Sequence, residues 1–113
     1  MENKTAVITL AALAQETRLS IFRALVQAGP SGLPAGKIAE LLGIPSSSLS
    51  FHLKELSHAR LIQAKNESRF IIYTANFSAM NDLMGFLTEN CCKGTPCTSV
   101  CMPVCATPEE KIR

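Results

Sequence analysis

A chain of 113 residues with 47% hydrophobic content is long enough for one compact domain with a real core. Its formal net charge of +2 is only weakly basic and does not by itself announce a nucleic-acid partner. No run approaches the roughly 20 apolar residues of a membrane span, and no basic, apolar and small-residue succession marks a secretory leader, so a soluble, cytoplasmic protein with no membrane partner is expected.

In chain order, Val7, Ile8, Leu10, Ala11, Leu13 and Ala14 make the first segment, Met1 to Gln15, a short helix that is apolar over much of its surface. Such a helix needs a partner on more than one side. Thr17 is placed to cap the next helix, in which Leu19, Phe22, Leu25 and Val26 line one face while Arg18 and Arg23 remain outside. Gly29-Pro30 ends it, and Ser31-Gly32-Leu33 is a link that forms a short strand against a later hairpin.

From Pro34 to His58 two short apolar-periodic segments are joined by Gly43-Ile44-Pro45, the pattern of a helix-turn-helix. Ile38, Leu41 and Leu42 share a face of the first, Pro34 stands at its start, and Gly43 supplies a left-handed stop. Ser46 is the expected N-cap of the second, whose Leu49, Leu53 and Leu56 repeat at helical spacing. The opposite face carries Ser47, Ser48, Ser50, Phe51, His52 and Lys54. Short hydroxyls let a backbone approach base edges in a major groove, and His52 and Lys54 reach phosphates.

Leu61 to Ala64 and Arg69 to Thr74 read as two strands, with Lys65-Asn66-Glu67-Ser68 as their turn. This hairpin is a wing. Lys65 and Arg69 place positive charge on it, beside the backbone of a bound duplex, and Lys37 and Arg60 add to the local basic spread. The expected DNA-binding set is therefore Ser46, Ser47, Ser48, Ser50, His52, Lys54, Lys65 and Arg69.

Phe77, Met80, Leu83, Met84, Phe86 and Leu87 again follow a helical period, to about Asn90. Two broadly apolar helices flank one small core, so a homodimer through the first and last helices is expected, with Val7, Leu10, Leu13, Met80, Leu83, Met84 and Leu87 at the interface. Two-fold symmetry would set the recognition helices about 34 Å apart, one turn of a palindromic double-stranded operator. The expected organisation is a mainly α winged helix-turn-helix domain over 1–90, with a small β-wing, followed by a cysteine-rich tail over 91–113.

The motif L-A-Q-E-T-R-L-S-I-F-R-A-L, together with S-S-L-S-F-H-L-K-E-L-S-H-A-R-L-I, resembles the ArsR/SmtB family of metal- and metalloid-responsive winged-helix repressors over about residues 5 to 90. The resemblance implies a winged helix dimerised through its first and last helices. It departs from the family at three places. Many members bind arsenite through a Cys-x-Cys pair where this chain has Leu33-Pro34-Ala35-Gly36, and zinc sensors use Asp, His and Glu on a last helix that here has Asp82 and Glu89 but no histidine. Many relatives have Glu-Gly at the wing tip where this chain has Glu67-Ser68, so the turn differs or Ser68 bears a strained torsion.

All five cysteines, Cys91, Cys92, Cys97, Cys101 and Cys105, follow the last helix, and a reducing cytoplasm keeps them as thiols. Cys91 and Cys92 are adjacent, and a Lys-Gly-Thr-Pro turn can fold Cys97 back toward them. Three thiolates suit a small soft centre such as As(III) or Sb(III), which needs no fourth ligand. The family resemblance adds that some members carry a Cys-Cys-and-later-Cys arsenite site after the last helix. Cys91, Cys92 and Cys97 are the expected ligands, with Cys101 a rival for the third place; the metalloid acts as inducer, and DNA binding requires no cofactor. Zinc held through Cys97, Cys101 and Cys105 together with Cys91 or Cys92, or a redox switch in which Lys93 lowers a thiol pKa, are the competing readings.

His52 and His58 lie on the recognition helix far along the chain from the thiols, and Met80 and Met84 read as core or interface. No carboxylate pair, nucleophile-base arrangement or phosphate loop has a recognisable spacing, which excludes an enzyme. The competing non-catalytic reading is a protein-interaction module with a zinc-knotted tail.

Overall fold

The computed structural model describes residues 1–91. The chain runs α1 (Asn3–Leu13), α2 (Glu16–Ala28), a single 3-10 turn (Gly29–Ser31), β1 (Leu33–Pro34), α3 (Ala35–Leu42), α4 (Ser46–His58), β2 (Ile62–Glu67), β3 (Phe70–Ala75) and α5 (Phe77–Leu87). It is the expected mainly α winged helix-turn-helix. Three antiparallel strands in the order β1-β3-β2 close against the helices. Ile21, Leu25, Ile38, Leu56 and Leu61 are fully buried at the centre, so α2, α3 and α4 meet the base of the wing in one core.

In α1 the polarity is inverted. Its inward stripe is Ala6, Thr9 and Ala12, small residues that let the helix approach closely, while Val7 and Ile8 stand 63% and 54% exposed. Thr9 is buried without cost because its hydroxyl donates to the Thr5 carbonyl at 2.9 Å.

Helix α2 differs from the expectation at its start and on its face. Gln15, not Thr17, is the cap: its side chain accepts from the Arg18 N–H at 2.8 Å, and Thr17 already lies inside the first turn. The buried face is Ile21, Phe22 and Leu25, and Leu19 is exposed. Leu19 precedes Ile21 by two residues, about 200° around a helix of 3.6 residues per turn, and so faces away. Arg18 is not outside either. It is half-buried, and its Nε donates to the Ala12 carbonyl at 2.7 Å, tying the end of α1 to α2.

The link Gly32-Leu33 pairs as expected, with Leu33 opposite Tyr73 and Pro34 opposite Ile72. Gly32 has φ +67°, and a Cβ there would land against the Tyr73 carbonyl and the methyls of Ile72 and Thr74. Only glycine fits that crossing.

In α3, Ile38 is buried and Leu42 packs on the core, but Leu41 is 60% exposed. Ala35 and Ala39 complete the inward face, which centres it between Ile38 and Leu42 and turns Leu41 out. Gly43 takes the expected left-handed conformation (φ 64°, ψ 38°). Helix α4 follows at once. Pro45 occupies the cap position with no side-chain hydrogen bond, and Ser46 is the first helical residue rather than the cap. Its C-terminus closes with Leu61 N–H donating to the Leu56 carbonyl (3.0 Å) and Arg60 N–H to Ser57 (2.9 Å), Arg60 adopting φ 62°. This is a Schellman closure with arginine where glycine is usual.

The wing hairpin is tighter than expected. Glu67 pairs with Phe70, so only Ser68 and Arg69 form the loop, and Lys65 and Asn66 belong to β2 opposite Ile72 and Ile71. Both faces of the hairpin's outer half meet solvent, so polar residues do not end the strand. Ser68 has φ 58°, the strained torsion that the missing glycine implies. Asn76 caps α5 by accepting from the Ala79 N–H at 3.2 Å, and Leu83 is its buried residue. No described helix is long and apolar enough to cross a membrane. The expected ligands Cys92 and Cys97, the rival Cys101, and all but the first residue of the expected tail, Cys105 included, lie outside the described residues.

Candidate nucleic-acid interface

Burying Leu49, Leu53 and Leu56 forces the rest of α4 outward. Ser47, Ser50, Phe51, Lys54 and His58 fall on the opposite face at helical spacing, and each is exposed. Ser46 and Ser48 are exposed in the first turn, where backbone N–H groups lack intrahelical partners and suit a phosphate. Small hydroxyls at the start and a lysine one turn later make a face that enters a groove closely and ends on a cation.

His52 is half-buried rather than presented with Lys54. Its Nδ1 lies 3.5 Å from a terminal nitrogen of Arg18. A guanidinium only donates, so in this contact Nδ1 faces a donor and Nε2 is the ring nitrogen that does not face Arg18. The Phe51 ring stands edge-on to the His52 ring, centroids 5.5 Å apart at 66°. Neither Arg18 nor Phe51 was among the expected interface residues. Phe51 stands on the outward face that the sequence predicts, four residues after Ser47 and three before Lys54, though outside the expected contact set; the Arg18–His52 contact spans 34 positions and leaves no local signal.

On the wing, Lys65 and Arg69 are both exposed. Lys65 Nζ sits 3.5 Å from Glu67 Oε2, with the two side chains 60% and 62% exposed. A pair that open contributes little and yields readily to a phosphate. Arg69, second residue of the two-residue loop, carries the charge at the tip.

The expected dimer residues divide. Leu83 is buried within the protomer, and Leu13 and Met80 pack on its core. Val7, Leu10, Met84 and Leu87 are exposed, joined by Ile8. Because α1 and α5 pack against each other, these exposed side chains sit on neighbouring helices.

Cys91 closes the turn that follows α5 and is half-buried; its N–H donates to the carbonyl of Thr88, the C-cap of α5, at 3.0 Å. Among the described residues, no three histidine, cysteine or acidic side chains gather as a metal site.

A family profile described as a helix-turn-helix domain matches residues 13–63, which span α2, α3 and α4 and end just inside β2. The nodulation protein NolR of Rhizobium meliloti is 29% identical over 80 residues, 71% of this chain; the chain spans 63% of that relative's length. Among solved structures, an ArsR-like transcriptional regulator from Rhodococcus sp. RHA1 superposes with a TM-score of 0.67 at 26% identity, covering 74% of this chain and 76% of the other. HlyU from Vibrio cholerae N16961 is 32% identical with a TM-score of 0.61, covering 77% of this chain and 97% of its own.

Proposed function

The chain belongs to the ArsR family of winged helix-turn-helix transcriptional regulators, not to a family of enzymes, and we propose that it acts as a homodimeric repressor released from operator DNA by As(III) or Sb(III). The observation that carries the DNA half is the outward stripe of α4, polar and small at Ser47 and Ser50 and cationic at Lys54, beside a wing bearing Lys65 and Arg69. Ser46, Ser48 and His52 add phosphate or base contacts.

Dimerisation is supported by α1. A helix that hides alanine and threonine while exposing valine and isoleucine is shaped for an apolar partner, and Met84 and Leu87 extend that surface onto α5. A second copy presents the same residues, which closes a two-fold interface.

The metalloid half rests on position and chemistry. Cys91 lies four residues beyond Leu87, the last residue of the helix that carries Met84, and Cys92 and Cys97 follow it in the chain; three thiolates make a sufficient pyramid for trivalent arsenic. A ligand pulling on the end of α5 acts on the dimer surface and so on the spacing of the two α4 helices. Linkage sets the size of the effect: a coupling of roughly 1–3 kcal/mol changes operator affinity from severalfold to about a hundredfold. Anisotropy of a labelled duplex, titrated with protein and then with arsenite under reducing conditions, tests the proposal.

A further inference from the structure

Phe51 sits in the middle of the outward stripe of α4, 56% exposed, with Ser47 and Ser50 before it and Lys54 after it. Isolated exposed apolar residues are ordinary on protein surfaces. This one lies between the hydroxyls of Ser47 and Ser50 and the cation of Lys54, on a face that ends at His58. A phenyl ring has no donor or acceptor, so it makes no hydrogen bond to a phosphate or a base edge. In a major groove one base feature answers an apolar side chain, the 5-methyl group of thymine.

The ring is also held. It meets His52 edge-on, centroids 5.5 Å apart; His52 Nδ1 is 3.5 Å from Arg18; and Arg18 Nε is bonded to the Ala12 carbonyl at 2.7 Å. These contacts run from the end of α1 to the outward ring, which limits the rotamer freedom lost on contact. The serines at 47 and 50, one turn and one residue away, are small enough to let the ring reach the groove floor.

We propose that Phe51 is a specificity residue that reads a thymine through its 5-methyl group, one in each half-site. This rests on the DNA-binding reading above.

The test uses the full chain and a duplex selected by it from a random pool, at fixed salt. Each thymine of the selected duplex is replaced singly by deoxyuridine, which removes the methyl and nothing else. Wild type is expected to lose about fourfold in affinity at one thymine per half-site, the worth of one buried methyl-sized group. Phe51→Ala is expected to bind the thymine duplex more weakly and to be indifferent to that same replacement, while its melting temperature and salt slope stay unchanged. Lys54→Ala, by contrast, weakens every duplex alike and lowers the salt slope by about one. Wild-type indifference to every deoxyuridine would overturn the proposal, as would a Phe51→Ala profile that still tracks the methyl. Absence of binding to any duplex at low salt would instead bring down the DNA-binding reading, and this inference with it.

Discussion

The side-chain amide of Asn76 donates to the carbonyl of Arg60 at 2.9 Å, so the residue that opens α5 also holds the end of the recognition helix. Its other amide atom accepts from the Ala79 N–H, and its backbone N–H donates to the Leu61 carbonyl at 2.8 Å. These bonds join the start of α5 to the end of α4. Loss of the cap and of the cross-link together is expected to cost about 1–3.5 kcal/mol in Asn76→Ala, from a cap of roughly 0.5–2 and a hydrogen bond of roughly 0.5–1.5. Asn76→Asp keeps the acceptor and loses only the donor, so urea unfolding should place it between wild type and alanine.

Arg60 and Ser68 both hold left-handed torsions, φ 62° and 58°. A left-handed L-residue costs about 1–2 kcal/mol, and the extra unfolded-state freedom of glycine takes back part of the relief. Arg60→Gly and Ser68→Gly should each stabilise by about 0.5–1 kcal/mol, read as a higher urea midpoint with unchanged slope.

Gly32 is the opposite case. Any Cβ there combines a positive φ with a collision against the Tyr73 carbonyl. Gly32→Ala is expected to destabilise by about 2–4 kcal/mol, torsional strain adding to overpacking, and to loosen the pairing of β1 with β3. Thermal unfolding followed by circular dichroism measures the first, and amide exchange at Leu33 the second.

Charge on the exposed faces of α1 and α5 should separate association from folding. Ile8→Glu and Leu87→Glu change side chains 54% and 57% exposed in the protomer, so each monomer should stay folded. Sedimentation equilibrium is expected to give a monomer for the double variant and a dimer for wild type, with operator affinity falling as the second half-site is lost. Leu83→Glu, buried at 6% exposure, should unfold the chain instead.

Much of this architecture is legible in local pattern. The repeat of Leu49, Leu53 and Leu56 predicts both the buried face of α4 and, by complement, the exposure of Ser47, Ser50 and Lys54. Gly43 is legible as a stop because glycine takes the left-handed torsion at a helix end without the penalty a side chain brings. What local pattern misses is decided by other elements. Leu41 and Leu19 are apolar at plausible spacing, yet the inward direction is set by which neighbours the helices meet. The hairpin loop is two residues rather than four because pairing with Phe70, Ile71 and Ile72 carries β2 on to Glu67 despite its polarity. Arg18 reads as a surface cation and is half-buried on account of a carbonyl six residues back and a histidine 34 residues ahead. Exposure of Ile8 beside Val7 in α1 was likewise set by packing: close approach to the protein selects the small side of the helix.

The measurement that bears most directly on a thiol-gated repressor is fluorescence anisotropy of a labelled palindromic duplex from the DNA upstream of the protein's own coding sequence. The preformed complex is titrated with arsenite under reducing conditions, for wild type, Cys91→Ser and Cys92→Ser. The account predicts release of the duplex by wild type and retention by both variants, all three binding the duplex equally well before arsenite is added. A wild-type complex that ignores arsenite, or serine variants that release as readily as wild type, would contradict it.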